Sequence, residues 1–148
     1  MGRVSPEYKK MWISKNPDKF NSYKSRRNER NKERYDTDPV YRLQVIIKNT
    51  VRRSLKNVNG SKTCRTIDIL GCTYKELREY LELQMEGKYT WSDHGKYPDG
   101  FDIDHIIPIS AAETIDEVIQ LSHYTNMQVL NSRINRDVKG NRLDFNLE

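Results

Sequence analysis

The sequence predicts an α+β protein, with a mainly helical, basic amino-terminal extension ahead of a small mixed unit of helix, strand, short helix, strand and helix. Three observations predict it. Charge divides sharply: residues 1–65 hold 18 Lys and Arg against 6 Asp and Glu, net +12, whereas residues 66–148 hold 8 against 15, net −7. Apolar residues recur at helical intervals in two stretches, Leu43, Ile46, Ile47, Val51, Leu55 and Tyr74, Leu77, Leu81, Met85. Two short segments, "FDIDHIIPIS" and "NMQVL", read as strands. The expected division is a basic arm and helix in 1–65 and the mixed unit in 66–148.

Taken in order, Ser5-Pro6 and Asn16-Pro17 each place a capping side chain before a proline at the first helical position. The helix after Pro17 offers only Phe20, Tyr23 and Tyr35 as large apolar residues, so it buries little and stays disordered until it binds a partner. Asp38-Pro39 opens the helix bearing Leu43 to Leu55, which packs on the mixed unit, shows a basic face outward, and ends at Asn59-Gly60. Thr73 and Glu76 form a capping box for the next helix, which stops at Gly87. "KYTWSDHGKYPDGF" is a loop, and "FDIDHIIPIS" is a strand broken by Pro108, with Ile106 to Ile109 anchoring it in the core. Thr114 and Glu117 cap a short helix with Ile115, Val118 and Ile119 inward. After the second strand, Ser132 caps a last helix that Gly140 terminates.

Composition narrows the possible functions. No run of about 18 apolar residues appears, so no membrane span is expected. Met1-Gly2-Arg3 leads into no apolar signal segment. Cys64 and Cys72 lack CxxC spacing and are expected to be reduced, Cys72 as a small core residue. A cytoplasmic setting follows. A +12 segment points to a polyanion. Lys24, Arg26, Arg27, Arg30 and Arg34 on the arm, with Arg52 and Arg53 on the following helix, are candidates for phosphate contact. Arg133, Arg136 and Lys139 on the last helix are further candidates.

The chemistry concentrates in residues 102–142. Asp104 and His105 are adjacent in a strand, and neighbouring strand residues point to opposite faces. That divergence suits a metal ligand on one side of a reacting phosphorus and a base on the other. Histidine alone titrates near neutrality unperturbed. Asn126 and Asn135 follow, nine positions apart.

The segment "DIDHIIPIS…HYTNMQVLNSRINRDVKGN" resembles the HNH (His-Me finger, ββα-metal) nucleases, most of all small phage and bacterial HNH endonucleases, over roughly Ile69 to Asn141. The resemblance implies a ββα-metal core. It also implies a metal-dependent DNA endonuclease that leaves 5′-phosphate and 3′-hydroxyl ends, acting on double-stranded DNA as a phage-type nicking or homing enzyme. On it, Asp104 matches the carboxylate metal ligand and His105 the general base that activates water. Asn126 matches the residue that fixes the loop bearing the histidine. Asn135 stands in the slot of the second metal ligand, where many members have histidine, so the motif is of HNN type. An all-oxygen pair of ligands favours Mg²⁺, with Mn²⁺ possible, over Zn²⁺. Asp102 and His123 are candidates for supporting the site, His123 more by structural hydrogen bonding than by touching DNA. Two other functions fit the same residues: a DNA-binding protein without catalysis, and a structure-selective junction or packaging nuclease.

Overall fold

The computed structural model describes residues 4–145; Met1 to Arg3 of the signal-peptide reading lie outside them. Two compact units emerge, Met1–Asp38 and Pro39–Glu148.

The amino-terminal unit is made of two helices, α1 (Pro6–Lys15) and α2 (Pro17–Thr37), neither with a buried residue. Ser5 caps α1 as expected, accepting from the Tyr8 N–H at 3.2 Å. Asn16 does something else. Its side chain makes no cap for α2 and instead donates to the Trp12 carbonyl at 3.0 Å, closing the end of α1. Trp12 and Tyr23 stack at 6.5 Å between the two helices. The structure draws α2 as a continuous helix, where the sequence suggested disorder before binding.

The second unit starts with α3 (Pro39–Asn57), continues through α4 (Thr66–Leu70) and α5 (Tyr74–Met85), and then forms the hairpin strand β1 (Phe101–His105). Helix α6 (Ile115–Leu121) precedes the second strand, β2 (Met127–Asn131), and a π-helix spans Ile134–Lys139. This is α+β, with a two-stranded antiparallel sheet as its only sheet among the described residues. Leu43, Ile47, Val51 and Leu55 of α3 meet Leu77 and Leu81 of α5, Val118 of α6 and Met127 of β2 in one core. The apolar stripe of α3 therefore ties it to the mixed unit, and the division falls at Pro39 rather than near residue 65. Charge composition changes at 65 because α3 keeps its cations on the opposite face.

Both capping boxes form. Thr73 and Glu76 exchange bonds of 2.7 and 3.2 Å, and Thr114 and Glu117 exchange bonds of 3.1 and 3.2 Å. Helix α4 had no strong sequence signal, because its five residues are too few for periodicity. It ends at Gly71 in the left-handed region, where a Cβ would also strike the His123 ring at 2.2 Å. Ile115 is exposed instead of inward, leaving Val118 as the buried residue of α6. Ser132 caps nothing through its side chain; Asn131 Oδ1 instead accepts from the N–H groups of Arg133 and Ile134 at 3.0 and 3.2 Å.

The loop before β1 packs as an aromatic lid. Trp91 and His94 set their rings edge-on to buried Phe101 at 5.9 and 5.4 Å. Gly100 is required in this lid, since a Cβ there would lie 2.1 Å from the Asp93 carbonyl oxygen. The open edge of β2 is covered by Gln84 of α5, whose Oε1 accepts from the Val129 N–H at 2.9 Å, as a neighbouring strand would.

Candidate functional site

The register of the hairpin decides which side chains meet. Asp102 pairs with Leu130, Asp104 with Gln128 and His105 with Met127. Strand alternation puts Phe101, Ile103 and His105 on the core face and Asp102 and Asp104 on the other. That other face is covered by the π-helix, which supplies Asn135, Arg136 and Lys139.

Each carboxylate receives a cation from the π-helix. Arg136 grips Asp102 with two bonds, of 2.9 and 2.7 Å, while Asn135 Nδ2 donates to the same carboxylate at 3.1 Å. Burial works to raise the Asp102 carboxyl, but these donors outweigh it and hold the group below the usual carboxylate range. Lys139, only 1% exposed, places its ammonium 2.7 Å from Asp104 Oδ2 and donates to the His105 carbonyl at 2.6 Å. Gln128 also donates to Asp104, at 2.9 Å.

His105 ends β1. Its Nε2 is buried and has no hydrogen-bond partner. Burial pushes the imidazole below its ordinary value; Lys139 adds to that and Asp104 opposes it in part. The ring is therefore neutral at pH 7, the state a proton acceptor needs. A pocket of about 130 Å³ is lined by Asp104, His105, Pro108, Ile109, Ser110, Gly140 and Asn141.

The chain leaves the strand immediately after His105. Ile106 and Ile107 are 48% and 50% exposed, so they do not anchor the site from behind as the apolar run suggested. Asn126 does the anchoring. Its main-chain carbonyl accepts from the Ile106 N–H at 2.8 Å, and its Oδ1 accepts from the Ile107 N–H at 2.9 Å. Its Nδ2 donates to the carbonyls of Ile107 and Leu121, at 2.9 and 2.8 Å. One amide thus clamps the turn that follows the histidine to the end of α6.

The sequence candidates divide into groups. Asp104, His105 and Lys139 come together, with Asn126 holding the adjacent turn. Asn135 joins Asp102, two residues along the same strand face from Asp104, or about 6.6 Å of strand rise. Lys139 is not a surface phosphate contact in this structure, because burial and its carboxylate partner take up its charge. Arg136 is likewise committed to Asp102, as is Arg34 to Asp38 at 3.3 Å. Arg26 leans over the Tyr23 ring at 5.2 Å, while Lys24, Arg27 and Arg30 stand exposed on α2. Arg52, Arg53 and Arg133 form no ion pair with a carboxylate among the described residues. His123 bonds within its own segment: its Nδ1 lies 2.8 Å from Thr125 Oγ1 and its ring 4.8 Å from Tyr124. Cys64 is exposed and Cys72 half-buried, both free, with burial raising the Cys72 thiol to about 11.

Sequence reasoning missed Gln128 and the pairing of Lys139. The only available signal for Lys139 was its position four residues after Asn135, which returns to the same helical face.

Both expected ligands carry oxygen, the donor type that a hard divalent cation takes. Asp104 Oδ1 and Asn135 Oδ1 are the oxygens of the two expected ligands that accept no hydrogen bond among the described residues. No group of three or more His, Cys, Asp or Glu gathers among the described residues. The Lys139 ammonium beside Asp104 weakens the local attraction for such an ion.

No family model and no solved structure matches the chain. Two uncharacterized proteins of Acanthamoeba polyphaga mimivirus are similar to it. Protein L246 is 30% identical over 112 residues, 74% of this chain and 47% of its own length. Protein L426 is 30% identical over 139 residues, 93% of this chain and 56% of its own length. The chain thus spans about half the length of the curated relatives it matches. No helix among the described residues is long and apolar enough to cross a membrane.

Proposed function

We propose that the chain is a metal-dependent DNA endonuclease of the HNH type, cutting double-stranded DNA as a viral nicking or homing enzyme would. One observation carries the reading: His105, with a buried, unpartnered Nε2 and an imidazole held below its ordinary value, sits at a strand end beside Asp104, on a turn clamped by the Asn126 amide. An imidazole in that state accepts a proton from water, whose oxygen attacks phosphorus as the bond to the 3′ oxygen breaks. Asn126 holds the histidine-bearing turn so that the ring has one position. Asp104 and Asn135 would hold a divalent cation, which would supply charge neutralisation at the phosphate and at the departing oxygen. The exposed cations of α2 and α3 add attraction for the polyanion.

A second reading, a DNA-binding protein without hydrolysis, is favoured by one feature: the Lys139 ammonium already neutralises Asp104. Incubation of supercoiled plasmid with Mg²⁺ or Mn²⁺ separates the two. The nuclease reading expects nicked or linear product from the wild type and a loss of about 10²–10⁴-fold in His105→Ala. Plasmid that stays supercoiled with either metal, on a protein that binds it, supports the second.

A further inference from the structure

The small pocket at Asp104 and His105 does not stand alone. Its walls Ile109, Ser110 and Asn141 are shared with a larger cleft of about 690 Å³, whose opposite side is α3 through Thr50, Arg53, Ser54, Lys56 and Asn57. Two cations, three hydroxyls and two amides line this cleft, with no carboxylate and no aromatic ring. Neither Arg53 nor Lys56 is paired with an acidic side chain among the described residues. They differ in this from Arg136 and Lys139, whose charges are spent on Asp102 and Asp104. The surrounding segment adds to the contrast, since residues 39–65 hold 7 Lys and Arg and no Asp or Glu.

We propose that this cleft binds the phosphodiester backbone of one polynucleotide strand, on the nucleotides adjoining the one whose phosphate reaches His105. The inference rests on the nuclease reading for what happens in the small pocket, and it names where the strand is held. Cations with hydroxyl and amide donors suit phosphate oxygens. The absence of a ring among the lining residues leaves nothing for a base to stack on, so the contacts are to backbone rather than to bases. Because the two cavities share three lining residues, a strand lying along α3 passes close to the end of β1.

Arg53 and Lys56 are exposed on α3, and Ser110 is exposed on the facing turn, so all three tolerate substitution without disturbing the core. The experiment measures binding of a fluorescent DNA duplex in EDTA across a salt series. It compares wild type, the double variant Arg53→Gln with Lys56→Gln, and Ser110→Asp, which places a negative charge on the opposite wall. Lys75→Gln with Lys88→Gln, which removes the same charge from α5 and the turn after it, is the control. The double variant should bind about 10-fold more weakly at moderate salt, with the slope of log K against log salt shallower by about 1–2, as for one or two fewer phosphates. Ser110→Asp should weaken binding as well, and the control should stay within about 2-fold. Wild-type affinity and slope in the double variant, or equal losses in the control, overturn the proposal. If the double variant and Ser110→Asp lose affinity while wild type cleaves nothing with Mg²⁺ or Mn²⁺, the cleft stands and the nuclease reading falls.

Discussion

The two units form helices for different reasons. In residues 4–38, helices α1 and α2 rest on local rules: a serine cap, prolines at first positions and an asparagine closing α1. Nothing in them is buried, so the chain there gains little from tertiary contact. In the body, α3, α5 and α6 each lose an apolar stripe into one core, and their caps only set where they start. The contrast extends to charge. Cations of the first unit are mostly exposed to solvent, whereas two of the last helix are bonded to the carboxylates of β1. A charge count along the sequence treats these alike, and only packing tells them apart.

The sharpest way to break this comparison is at Lys139. Its ammonium is buried against Asp104, and a buried pair that loses one partner strands the other. Lys139→Met should therefore destabilise the body by about 3–5 kcal/mol. Urea unfolding reads this directly, and a change below about 0.5 kcal/mol would mean that the lysine is an ordinary surface cation. Next comes Leu77→Ala, which empties part of the core and should cost about 2–5 kcal/mol. Tyr23→Ala, on exposed α2, should stay within about 0.5 kcal/mol by the same measurement. Similar losses at both positions would erase the distinction between the units.

A smaller effect concerns pH. His105 and His94 are both held below their ordinary value of 6.5, first by burial. Above that value both are neutral folded and unfolded, and contribute no pH dependence. As pH falls through it, the unfolded chain takes up protons that the native rings refuse, so stability declines by up to about 1.4 kcal/mol per pH unit for each histidine. Unfolding free energies at pH 7 and pH 5.5 should differ accordingly, and His105→Gln should flatten the difference. A profile unchanged by that substitution would place the imidazole in water.

Much of the body was legible beforehand, because its signals were periodic or paired. The stripes of α3 and α5 and the two Thr–Glu boxes are local patterns with one structural outcome. The strand "FDIDHIIPIS" was read too long, since the Asn126 side-chain amide takes both the N–H and the carbonyl of Ile107, and no local pattern announces a partner 19 residues away. The end of the last helix was found but not its π form, in which the Gly140 N–H bonds the Asn135 carbonyl five residues back, at 2.9 Å. The resemblance singled out Asp104, His105 and Asn126, and the structure sets Asp104 and His105 at the end of β1 with Asn126 holding the turn that follows. The grip of Lys139 on Asp104 depends on hairpin register and helix packing, which spacing does not encode.

The most direct test of the nuclease reading is cleavage of an end-labelled DNA duplex with Mg²⁺, with the product termini identified for wild type and His105→Ala. The account predicts 5′-phosphate and 3′-hydroxyl ends from wild type, and a variant that binds the duplex equally but cuts it about 10²–10⁴-fold more slowly. Equal cleavage by the two proteins, or a wild type that binds the duplex and never cuts it, would contradict it.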